Sequence, residues 1–137
     1  MNLIKLWLFN IQIFHIILQK KTEIMSENPA KGKILISEPF LNDPNFKRTI
    51  ILLTEHGVEG SIGFVLNKPT DYCIHEVIEE FPEFDSVVYY GGPVQLNTLQ
   101  FIYRGDNVID GSIEIIPGLY WGGSFDILKT LITAGAV

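Results

Sequence analysis

The chain has 137 residues, 47% of them hydrophobic and 19% charged, which supplies the apolar material for one folded domain and excludes wholesale disorder. Ten Lys and Arg stand against sixteen Asp and Glu, and the net charge of −6 has the wrong sign for a protein that grips nucleic acid by neutralising phosphates. The single cysteine excludes an intramolecular disulfide and a multi-cysteine zinc site.

Residues 3–18, LIKLWLFNIQIFHIIL, are apolar at 12 of 16 positions. The run falls short of the ~20 apolar residues of a spanning helix. Gln19-Lys20-Lys21 stands where a signal peptide would carry small residues. Three readings fit: a signal anchor or interfacial helix, a buried core helix, or a segment outside the native protein because Met25 is the true start. We adopt the third, with residues 1–24 as a hydrophobic leader outside the native protein and residues 25–137 as a single domain. Without residues 1–24 the balance is 7 basic against 15 acidic residues, a net charge of −8.

From Gly32 the pattern is regular. Lys33–Ser37 predicts a short strand, and Asp43-Pro44-Asn45 is type I turn chemistry. Arg48–Thr54 is a continuous aliphatic and β-branched run, which predicts a central strand buried on both faces. A glycine-bearing loop, residues 55–60, joins it to a second strand over Ile62–Leu66, so the two form a hairpin. Pro69 is expected to stop that strand, because proline cannot donate to a ladder. Ile74, Val77, Ile78 and Phe81 at helical spacing predict a helix over residues 74–81, ended by Pro82. Val87–Tyr90, Leu99–Tyr103, Ile113–Ile116 and Leu119–Trp121 read as strands. Ser124 is an N-cap for a last helix, with Asp126 in its first turn and Gly135 placed to end it. Strands outnumber helices and short turns join them, which predicts an α+β fold on a mixed, largely antiparallel sheet.

These residues, in this order, resemble the YqgE/AlgH family of bacterial proteins. The resemblance rests on Gly32 through Pro39, on Asp43-Pro44-Asn45-Phe46 with Arg48, and most specifically on Leu53-Thr54-Glu55-His56 followed by Gly60 through Pro69. Tyr89-Tyr90-Gly91-Gly92-Pro93-Val94, then Gly118-Leu119-Tyr120 and Gly122-Gly123, complete it. It implies a bent sheet closing into a pseudo-barrel, a cytoplasmic location, no established biochemical activity and the label of transcriptional regulator. Family members lack the hydrophobic leader and continue beyond the position of Val137, so the resemblance implies that residues 25–137 lack the family's C-terminal part.

Candidate site residues are few. Glu55 and His56 have the chemistry of a base or ligand pair, but they sit in a predicted loop with no third ligand from a rigid element, and we read them as part of a polar turn. Asn67 either presents its amide to a ligand or bonds its own backbone at the strand end. Gly91, Gly92 and Pro93 offer either an anion-binding nest or a tight turn, and turn chemistry fits better because no helix follows. Cys73 stands at the N-cap of the 74–81 helix, with Glu76 three residues on. No catalytic residue, metal ligand or cofactor is assigned. Arg48, Glu55, His56, Asn67, Gly91, Gly92 and Pro93 are the candidates for a ligand or partner surface. They serve an enzyme or a small-ligand protein only if the hairpin end and the glycine turn share one rim. The regulator that the resemblance implies, taken with the charge, would act through a protein partner or ligand, without direct nucleic-acid binding or membrane attachment; an oligomer is compatible with it.

Overall fold

The computed structural model describes residues 28–92 and 98–136, together with the backbone of residues 3–8. In chain order the elements are β1 (Leu3–Leu8), β2 (Ile34–Ile36), β3 (Ile50–Gly57), β4 (Gly60–Val65), β5 (Pro69–Cys73), α1 (Ile74–Val77), β6 (Val87–Tyr90), β7 (Leu99–Arg104), β8 (Ile113–Ile116), β9 (Leu119–Trp121) and α2 (Phe125–Thr133). Six strands form one sheet in the order β5-β6-β1-β7-β9-β8, and three form a second in the order β2-β3-β4. The pairings are antiparallel except β1 with β6. The fold is therefore mostly antiparallel β with two helices.

The pseudo-barrel expectation is corrected. Among the described residues both sheets have open strand orders, and no closed barrel forms. The smaller sheet stacks on the larger one. Leu52 and Phe64 from β3 and β4 meet Ile102, Ile115 and Trp121 from the larger sheet in one buried cluster. The rings of Phe64 and Trp121 lie edge to face, with centroids 5.6 Å apart. This packing accounts for the continuous burial of Ile51 through Thr54: alternate side chains enter different layers. Leu52 faces the large sheet, while Ile51 and Leu53 join Leu35, Val65 and Phe46 on the other face. On the far face of the large sheet, Phe101, Tyr103, Ile109 and Leu128 form the third cluster, under α2.

The strip Leu3–Leu8 is a strand. It lies between β6 and β7, with Leu6 opposite both Val88 and Phe101. Neither helical reading of residues 3–8 holds. Residues 9–27 lie outside the described residues.

Two further expectations change, and one glycine makes a close approach. The helix predicted over 74–81 spans only Ile74–Val77, because Ile78 is extended and Glu80 takes a left-handed φ of 57°. Ile74 and Phe81 are still buried, so the apolar spacing served a turn that packs into the core. Pro69, expected to end a strand, begins β5 at the sheet edge, where its missing N–H costs no ladder bond. Gly32, at φ 83°, passes so close to the Ile116 side chain that any Cβ would collide with it, and this brings the start of β2 against β8.

Candidate functional site

The candidate residues fall at the two ends of the β3–β4 hairpin. At one end, Asp43 accepts hydrogen bonds from the Asn45 and Phe46 amides, at 2.8 and 3.3 Å, which closes the predicted turn. The chain then passes through Arg48 at φ 53°, a conformation that non-glycine residues adopt only under constraint. The constraint is Asn67. Its Nδ2 donates to the Arg48 carbonyl and its Oδ1 accepts from the Ile50 amide, both at 2.9 Å. Asn67 bonds backbone, as one of its two readings has it, but the backbone of a segment 17 to 19 residues away and not its own. Next to it, Lys68 Nζ donates to the Asn45 carbonyl at 3.1 Å. Thr49, fully buried, is held by its bonds to Phe46 and Ser37.

Gly91 belongs to this end. Its carbonyl accepts from the Val65 amide at 2.9 Å, and the neighbouring Tyr90 amide donates to the Lys68 carbonyl at 2.8 Å. Gly92 follows at φ 153°. Pro93 lies outside the described residues. Arg48, Asn67 and Gly91 are thus brought together, with Lys47 and Lys68 beside them.

The opposite end carries Glu55 and His56, about 25 Å away along the strand at ~3.3 Å per residue. The loop expected over residues 55–60 is corrected: β3 runs to Gly57 and β4 starts at Gly60, so only Val58 and Glu59 form the loop, Glu55 and His56 stand in the strand, and Gly60 takes φ 127°. His56 stands opposite Ser61 in the ladder, and its Nδ1 lies 2.6 Å from Ser61 Oγ. A serine nucleophile paired with a base must be reachable, and Ser61 is only 4% exposed. The pair therefore pins the hairpin end. Around it lies an open hollow of about 460 Å3 lined by Lys31 and residues 55–60. Among the described residues no group of three His, Cys, Asp or Glu is placed to hold a metal.

Two side chains that sequence reasoning missed, Lys68 and Ser61, act through partners fixed by hairpin register, which no local pattern encodes. At the N-cap of α1 the Cys73 amide donates to Glu76 Oε2 at 2.7 Å, one half of a capping box. In the larger sheet, Tyr120 is half-buried opposite Glu114. Loss of hydration, and then the Glu114 carboxylate, raise its phenol above the usual 10.0.

Comparison with known proteins agrees with the motif reading. The AlgH-like family profile matches residues 34–136. A UPF0301 protein of Chlorobaculum tepidum is 48% identical over 106 residues, covering 77% of this chain and 57% of that protein. One of Parabacteroides distasonis is 48% identical over 109 residues, covering 78% and 55%. The solution structure of the AlgH protein from Pseudomonas aeruginosa is similar at a TM-score of 0.62 and 29% identity, over 82% of this chain and 64% of that one. The chain thus spans little more than half the length of these curated relatives.

Proposed function

The chain belongs to the AlgH-like family, and from that premise we propose that it is a cytoplasmic regulator of transcription that acts through a protein partner or ligand and does not bind DNA directly. The observation that carries this reading is the charge. Residues 28–136 hold seven Lys and Arg against fourteen Asp and Glu, so the surface as a whole repels a polyanion. The division of the candidate residues between two hairpin ends weighs against one catalytic or ligand site spanning residues 55–67 and 91–93. No helix among the described residues is long and apolar enough to cross a membrane.

Two measurements test the proposal together. Depleting the protein in its host should change transcript levels, and the purified chain should leave generic duplex DNA unretarded at near-physiological salt. Retardation that weakens as salt is added, or transcripts that do not respond, would overturn it.

A further inference from the structure

We infer that the Arg48 end of the β3–β4 hairpin docks an acidic segment of a protein partner, a segment that also carries an apolar side chain. The inference rests on the regulatory reading above and names the chemistry of the partner. Three of the seven cations of residues 28–136, namely Lys47, Arg48 and Lys68, gather at this one end of an otherwise acidic chain.

Their setting is rigid. Asn67 fixes the backbone on both sides of Thr49, and the left-handed φ of 53° is imposed on an arginine, where glycine would be relaxed. Lys68 is tethered to the Asn45 carbonyl, which leaves two of its three ammonium protons to offer. Lys47 and Arg48 are exposed, and among the described residues neither has an ion-pair partner. The 37–50 segment itself carries two carboxylates. Asp43 is already engaged by the Asn45 and Phe46 amides, and Glu38 lies in the preceding loop. The local balance therefore stays positive.

An apolar anchor lies alongside. Ser37 and Thr49 are bonded to each other, which places the 38–41 loop beside Arg48. In that loop Phe40 is 95% exposed, and nearby Ile50 is 37% exposed. An exposed phenylalanine on a loop that the Ser37–Thr49 bonds hold to the arginine's segment, together with the arginine's bidentate fork, is the composition of an interface centre. Duplex DNA is the poorer occupant. Three cations release few counterions, and the surrounding carboxylates oppose a continuous polyanion where they tolerate two or three charges.

The test uses the full chain and a fluorescently labelled hexapeptide of glutamate and leucine as probe. The peptide should bind at about 50 mM salt and weaken on the order of tenfold by about 300 mM. The double reversal Lys47→Glu with Arg48→Glu, and separately Phe40→Ala, should each weaken it on the order of tenfold. Lys31→Glu, at the opposite hairpin end, should leave it unchanged, and the milder Arg48→Gln keeps the test valid should the double reversal fail to fold. Equal binding by all variants overturns the inference. Self-association removed by the same reversal, without peptide binding, also overturns it, in favour of the acidic 76–85 segment of a second copy. The two proposals fail separately. If the double reversal abolishes peptide binding while the transcript response persists, the docking surface is not how regulation is exerted. If transcripts never respond, the regulatory reading falls whatever the peptide does.

Discussion

Tyr103 shows how much one hydroxyl can hold in this protein. The side chain is fully buried, its Oη accepts from the Ile109 amide at 2.7 Å, and it donates to Ser112 Oγ at 2.8 Å. Ser112 in turn donates to the Gly122 carbonyl at 3.0 Å. Tyr103→Phe keeps the ring but strands a buried N–H, so we expect a loss of about 1–3 kcal/mol in a denaturant melt; an unchanged midpoint would mean that water replaces the hydroxyl. Tyr120, stacked on Tyr103 at 5.3 Å, responds to pH. Folding favours its neutral phenol, so this contribution to stability is whole below pH 10.0 and is lost as pH rises through the higher value of the folded state. Stability followed upward from about pH 9 should therefore fall more steeply in the native chain than in Tyr120→Phe, and matching slopes would refute the assignment. At this scale the sequence was legible in kind but not in partner. Asn67 was recognisable as a residue that ties down backbone, whereas Glu55 and His56, read as part of a polar turn, lie inside β3 and pair with β4. That Asn67 holds Arg48 and Ile50, and His56 meets Ser61, depends on pairings far apart in the chain.

The last helix was the most legible element, because every signal for it is local. Ser124 Oγ accepts from the Ile127 amide at 3.3 Å, and Gly135 ends the helix at φ 69°. Ser124→Ala should cost about 1 kcal/mol and Leu128→Ala, which empties a fully buried site under the sheet, about 2–5 kcal/mol, as read in thermal or urea unfolding. A Leu128→Ala loss no larger than that of Ser124→Ala would mean that α2 is only loosely seated. The hairpin was equally plain, since its aliphatic runs and glycines lie close together in the chain, from Ile50 to Val65. The 74–81 segment misled for a physical reason. Its apolar residues satisfy a helical period, yet the sheet needs Phe81 in the core at a position that the bend at Ile78 and Glu80 supplies. β5 was hidden because a proline opens it, and an edge position removes the penalty that proline normally signals.

At the scale of the whole molecule, the larger sheet runs through a strand that local patterning did not reveal. An apolar run without period 2 or 3.6 reads equally as helix, anchor or leader, and only long-range pairing selects a strand. β6 and β7 are joined through β1, so the larger sheet is continuous only while residues 3–8 are in place. Leu6→Pro removes a ladder donor from a strand paired on both sides. We expect faster amide hydrogen exchange at Val88 and Phe101 and a destabilisation of at least about 1–3 kcal/mol. Unchanged exchange would mean that residues 3–8 add nothing to the sheet, as a leader outside the native protein would. The same strand carries a consequence for biosynthesis. β1 leaves the ribosome long before Val88 and Phe101 exist, a wait of several seconds at about 5–20 residues per second. Meanwhile the β2–β3–β4 sheet, built from near neighbours, is free to form first. Throughout that interval an apolar strand trails from the nascent chain with both of its ladders unmet, so the yield of folded protein should depend on what shields those few residues during translation.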